Sequence, residues 1–176
     1  MHSRPRFRIP KVNVAFALGL LAFVALGPFM AELTANSASR VALTASLAEH
    51  GSVDITSYRY LLGVDYSVVG DELRSDKAPG QAIAAVVPYV IGKSLGFVGV
   101  EHREQAQWAA WWLALWTSIL PLCVLLGLVC RWLTTHDERR APRATLYLAV
   151  GTLLVVFAVP LYGHSLAALL GFGAWL

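Results

Sequence analysis

Hydrophobic and polar positions divide this chain into long charge-free blocks and one long polar interruption. Val12–Ala31, Gln105–Cys130 and Ala144–Leu176 contain no Asp, Glu, Lys or Arg. Each reaches the roughly 20 residues that a helix needs to cross about 30 Å of hydrocarbon. Within the polar stretch between the first two, Ala38, Val41, Ala42, Ala45 and Ala48 recur at helical spacing. Asn36, Ser37 or Ser39 is available to cap the start of that helix, and Gly51 its end. Val53–Tyr60 is rich in β-branched and aromatic residues, and Tyr66–Leu73 reads as a small hairpin turning at Gly70-Asp71. A second loop helix opens at Pro79.

A further apolar run, Ala78–Gly92, is shorter than the roughly 17 residues at the lower limit for a span, and it contains Pro88. Basic residues decide where it lies, because Lys and Arg stay on the cytoplasmic side. Arg4, Arg6, Arg8 and Lys11 mark one such cluster, and Arg131, Arg139, Arg140 and Arg143 another. A crossing at Ala78–Gly92 would put the second cluster outside; a helix lying in the outer interface keeps both inside.

The pattern thus predicts an all-α membrane protein: transmembrane helices with a long extracytoplasmic first loop that carries two interfacial helices and a small hairpin. Residues 1–11 form a basic cytoplasmic tail, 12–32 the first span, and 33–104 the loop, with surface helices near 37–50 and 79–97. Residues 105–132 form the second span, 133–143 a cytoplasmic loop, 144–161 the third span, and 164–176 the start of a fourth. From His164 only 13 residues remain, too few to complete a span. The chain is therefore expected to join further transmembrane helices, in a longer chain or a partner subunit. Trp108, Trp111, Trp112 and Trp116 at the outer end of the second span, and Trp132 at its inner end, read as interfacial belts.

Composition agrees, with 57% hydrophobic residues and a mean hydropathy of +0.58, well beyond a soluble domain of this size. The net charge of +3 is carried at membrane edges, so nucleic-acid binding has no support. Cys123 and Cys130 lie two helical turns apart, about 10 Å, which excludes a disulfide between them. No dinucleotide fingerprint, P-loop, Cys-x-x-Cys pair or His-Glu-x-x-His motif occurs.

Two features carry a family resemblance: Arg40 near the start of the first loop helix, and Ser75-Asp76-Lys77-Ala78-Pro79-Gly80 opening the second. With the preceding anchor, this order resembles the first extracytoplasmic loop of GT-C class glycosyltransferases over about residues 12–165. These polytopic enzymes include the protein O-mannosyltransferases and the aminoarabinose transferases, and they use polyprenyl-phosphate sugars as donors. In many of them an acidic pair precedes the first surface helix; here Asn36-Ser37 stands in its place.

The resemblance implies the N-terminal part of a membrane glycosyltransferase in the bacterial inner membrane, with its N-terminus cytoplasmic. It would move a sugar from a polyprenyl-phosphate lipid donor to an extracytoplasmic acceptor, among membrane lipids. Asp76 is then the catalytic base, with Lys77 and Arg40 on the donor phosphate and Asn36 and His164 facing substrate. The chemistry suits them: a carboxylate takes the acceptor proton, while cations and a helix N-terminus stabilise the departing phosphate. Asp54, Asp65, Asp71 or Glu72 could replace the missing acid or help hold a divalent metal.

Plainer roles stand beside these. Asp76-Lys77 also reads as a solvated helix start, Arg40 as a headgroup anchor, His164 as a polar turn at the outer interface and His50 as a charge on a helix end. The alternative function is a non-catalytic membrane subunit or lipid-handling scaffold with a GT-C-like loop. Asn36-Ser37 favours the scaffold, and the Asp76-Lys77-Ala78-Pro79 box the enzyme.

Overall fold

The computed structural model describes residues 13–176. The basic tail expected over 1–11 lies outside them. The described chain is mostly helical, with one two-stranded sheet among the described residues.

Helix α1 (Val14–Leu26) starts where the Asn13 side chain accepts from the N–H of Ala15 at 3.1 Å. It ends at Gly27, before Pro28, which has no N–H to continue the ladder. The first apolar block thus holds a helix shorter than the 12–32 expected. Helix α2 (Ala35–His50) is capped by Thr34, whose hydroxyl accepts from Ser37 N at 3.3 Å. The helix begins earlier than its apolar spacing suggested, so Asn36, Ser37 and Ser39 lie inside it and none is the cap. It closes as expected at Gly51, in the left-handed conformation with φ 63°.

The loop continues through a single 3₁₀ turn at Thr56–Tyr58 to strands β1 (Tyr66–Val69) and β2 (Glu72–Ser75). They pair antiparallel around Gly70-Asp71, with Val68 opposite Leu73 and Gly70 at φ 63°. Helix α3 (Gly80–Ser94) follows Pro79 directly. Helices α4 (Arg103–Ala114) and α5 (Leu120–Thr134) join through one π-helical turn at Leu115–Ile119. Together they form a 32-residue helix, the one among the described residues long and apolar enough to cross a membrane.

The last apolar block differs from the single span expected over 144–161. It divides into α6 (Ala141–Val150), α7 (Leu154–Ala158) and α8 (His164–Trp175). The breaks fall at Gly151-Thr152 and at Pro160–Gly163, where glycine and proline withdraw support from a helix. The absence of charge says nothing about continuity.

The main core lies where α2, α3 and α4 meet, built from Val41, Ala42, Ala45, Ala82, Ala85, Tyr89, Ala106, Ala109 and Leu113. Alanines on all three helices let the backbones approach, which leaves α2 buried on nearly every side from Ser37 to Ser46, Arg40 excepted. This corrects the expectation of a surface helix near 37–50: α2 is the centre of the cluster. Helix α3 turns Ala82, Ala85, Tyr89 and Gly92 inward and leaves Ile83, Val87, Val90 and Ile91 exposed. Its outer face is therefore apolar.

The tryptophans divide. Trp111 donates through Nε1 to Gly27 O at 2.8 Å and Trp112 to Pro88 O at 2.7 Å, so both fasten neighbouring segments. Trp108 and Trp116 remain exposed. Cys123 and Cys130 are buried free thiols.

Candidate functional site

The hairpin delivers the Ser75–Gly80 box to the start of α2. Ser75, the last residue of β2, shares a 2.7 Å hydrogen bond with the buried Ser39 and accepts from Lys77 N at 3.2 Å. That contact sets the opening of α3 against the first turns of α2, while the turn before α8 arrives from the other side. A groove of about 370 Å³ forms where the three meet, lined by Arg40, Ala78, Gly80, Gln81, Gly163 and His164, with Leu166, Ala167 and Leu170 of α8 as its apolar side.

Arg40 is half-buried, and its Nε donates to Asn36 Oδ1 at 2.9 Å one helical turn back. Asn36 thus orients Arg40, which an acid in its place would also neutralise. Burial lowers the Arg40 guanidinium from its ordinary range, while Asp76 and Tyr162 pull it back up. Among the described residues no carboxylate lies within 4.0 Å of it. At the same groove α3 begins with no capping side chain, which leaves its positive dipole end and uncapped first-turn N–H groups beside the lining residues Gly80 and Gln81. His164 is exposed and stacks on Phe157 with centroids 4.6 Å apart.

Asp76 and Lys77 stand beside the groove and do not line it. Lys77 Nζ lies 3.1 Å from Asp76 Oδ2 and 3.3 Å from Asp65 Oδ2. The hydrogen bond to Asp76 raises its pKa most, against a smaller opposing effect of burial, with Asp65 adding to the rise. The cation expected on a donor phosphate is therefore already shared between two carboxylates, and the charge without such a partner is Arg40.

The remaining acids serve the loop itself. Asp54 accepts from both N–H and hydroxyl of Thr56, which hold its carboxyl below the usual range. Glu72 pairs with Arg74 at 3.0 Å, and Asp71 sits in the hairpin turn. His50 ends α2 beside the Tyr58 ring. Among the described residues no group of three His, Cys, Asp or Glu could hold a metal ion.

Two features escaped the sequence reading. Gln81 donates from Nε2 to Ser118 Oγ at 2.9 Å and Thr117 Oγ1 at 3.3 Å, tying the start of α3 to the π-helical turn. Ser118 in turn donates to Tyr162 O at 3.0 Å and so holds the turn before α8. A polar amide near the start of an apolar run was its one signal. At the far end of α2 and α3, Glu49 accepts from Tyr89 at 2.5 Å, Lys93 at 2.5 Å and Tyr58 at 3.3 Å. Burial pushes the Glu49 carboxyl up, but these bonds together bring it below its ordinary value. Burial, with Glu49 adding to it, pushes the Tyr58 phenol up to about 12. The spacing of Tyr89 and Lys93, one turn apart on α3, was the legible hint.

No protein-family model, curated protein or solved structure matches this chain.

Proposed function

We propose that this chain is the N-terminal part of a membrane glycosyltransferase that moves a sugar from a polyprenyl-phosphate donor to an extracytoplasmic acceptor. The observation that carries this reading is Arg40, half-buried and without a carboxylate partner, facing the uncapped start of α3 across one groove. A planar guanidinium and a helix N-terminus together suit a phosphate. The apolar α8 residues along the groove and the exposed apolar face of α3 suit the isoprenoid tail and its bilayer. On this reading α4–α5 spans the membrane, and α3 lies in the outer interface. Asp76, near enough to Arg40 to act on its charge, takes the acceptor proton at the groove's edge. Arg40 and the α3 dipole stabilise the phosphate as the sugar leaves.

One observation favours the scaffold as a second reading: Lys77 is held by Asp65 and Asp76, so a lipid phosphate could be bound without the full charge set of a transferase. Both readings require the phosphate site. The chain in lipid nanodiscs should bind undecaprenyl phosphate more tightly than undecaprenol. Arg40→Ala should remove about 10-fold or more of that affinity, as expected for a charge-assisted contact. Equal binding of the two lipids would sink both readings. Sugar transfer in native membranes, abolished by Asp76→Asn with lipid binding kept, separates the enzyme from the scaffold.

A further inference from the structure

Gln81 is 4% exposed, lines the groove, and has a side-chain oxygen that no donor among the described residues reaches. Its orientation follows from proton bookkeeping. The Thr117 hydroxyl donates to Leu113 O at 2.7 Å and the Ser118 hydroxyl to Tyr162 O at 3.0 Å. Each hydroxyl has one proton, so neither can donate to Gln81, and both can only accept from it. The amide must therefore turn its NH₂ towards them. Flipping it would set Oε1 against two acceptor oxygens. Oε1 is left as a buried acceptor in want of a donor, a state that native structures rarely leave unanswered.

The neighbouring turn gives the direction in which that donor would come. A Cβ built on Gly163 would stand 3.6 Å from Gln81 Oε1 and 3.8 Å from Arg40 Nη1. Gly163 has an ordinary φ of -74°, so its backbone does not require glycine. What glycine supplies here is space between an amide oxygen and a guanidinium. Ser165, the other buried polar side chain with an unpartnered atom among the described residues, sits two residues further on. Oε1 is buried against the Gly163 turn, itself part of the groove lining, so a ligand's donor meets it only where that turn gives way.

We propose that Gln81 and Arg40 form a two-point subsite for a ligand that carries a hydroxyl next to an anionic group, as in a sugar joined to a phosphate. Arg40 takes a phosphate oxygen, and Gln81 Oε1 accepts from a sugar hydroxyl. This rests on the phosphate-site reading of the groove and adds that the sugar itself is recognised, by an acceptor to which a phosphodiester has no proton to donate.

The test uses the 176-residue chain in nanodiscs. Its probes are undecaprenyl phosphate carrying glucose, mannose or arabinofuranose and, as the bare lipid of equal single charge, its methyl diester. At least one glycosylated lipid should bind about 3- to 10-fold more tightly than the bare one, the range for one net hydrogen bond. Gln81→Met, similar in length but unable to accept strongly, should erase that preference, read as the ratio of glycosylated to bare affinity because the change also removes the bonds to Thr117 and Ser118. Gly163→Ala, whose methyl meets only ordinary contacts, should reduce the preference while thermal unfolding stays near wild type. If the bare lipid binds but no sugar improves it, or if the preference survives both substitutions, the subsite is overturned and the phosphate reading stands. Binding of neither lipid class overturns both.

Discussion

Ser39 and Ser75 share a 2.7 Å hydrogen bond across 36 positions of sequence, and through it Arg40, the next residue of α2, comes to stand beside the turn that opens α3. Ser39 is fully buried. Its hydroxyl fixes the end of β2 to α2, and Ser75 passes the constraint on by accepting from Lys77 N at 3.2 Å. The side of the groove that Arg40 lines therefore depends on a pair of small hydroxyls that do not line it themselves.

Ser39→Ala should destabilise the fold by about 1 kcal/mol, the usual net value of one hydrogen bond. It should also loosen the box relative to Arg40. Chemical unfolding in detergent measures the first effect, and undecaprenyl-phosphate affinity the second. Unchanged values in both would show that the pair does not position the groove.

Asp76→Asn and Lys77→Ala should separate. If Asp76 is the base, Asp76→Asn slows sugar transfer by about 10² to 10⁴ with little change in donor affinity. Lys77→Ala should alter donor affinity less than Arg40→Ala does, because Asp65 and Asp76 already share the Lys77 charge. A larger effect at Lys77 than at Arg40 would move the phosphate site from the groove to the box.

The cluster around Glu49 predicts acid sensitivity. Its carboxyl is lowered from an ordinary value of 4.5 by bonds from Lys93, Tyr89 and Tyr58 that outweigh burial. Stability from a lowered carboxyl is fully present above the unfolded value and fades as pH falls through the folded one. The difference between wild type and Glu49→Gln should be level above about pH 5.5 and shrink as pH falls below about 4.5. Unfolding curves between these conditions check it, and a pH-independent difference would contradict it.

The proposed topology predicts sided labelling. Val64 is 85% exposed in the loop, so Val64→Cys should react with an impermeant thiol reagent from outside the cell. Glu138→Cys, in the expected cytoplasmic loop, should react only after permeabilisation. Cys123 and Cys130 are buried and contribute little background. Outside labelling at position 138 would show that Ala78–Gly92 crosses the bilayer.

What the sequence by itself determined is local. The end of α2 at Gly51, the hairpin turn at Gly70-Asp71 and the start of α3 after Pro79 follow from backbone sterics that glycine and proline impose within a few residues. The apolar stretch that becomes α4–α5 follows from composition and length. Tertiary structure decided the rest. Thr34 in place of Asn36 as the cap and the breaks in the last apolar block depend on where the chain must turn to pack. The burial of α2 depends on the alanine faces of α3 and α4, whose contact no periodicity in α2 records. Asp76 and Lys77 were visible because they adjoin in sequence, and so was Arg40 as an arginine near the start of the first loop helix. Gln81 was not, because its free oxygen exists only through the protons that Thr117 and Ser118 commit elsewhere. Such an account closes only when three distant segments are folded against one another.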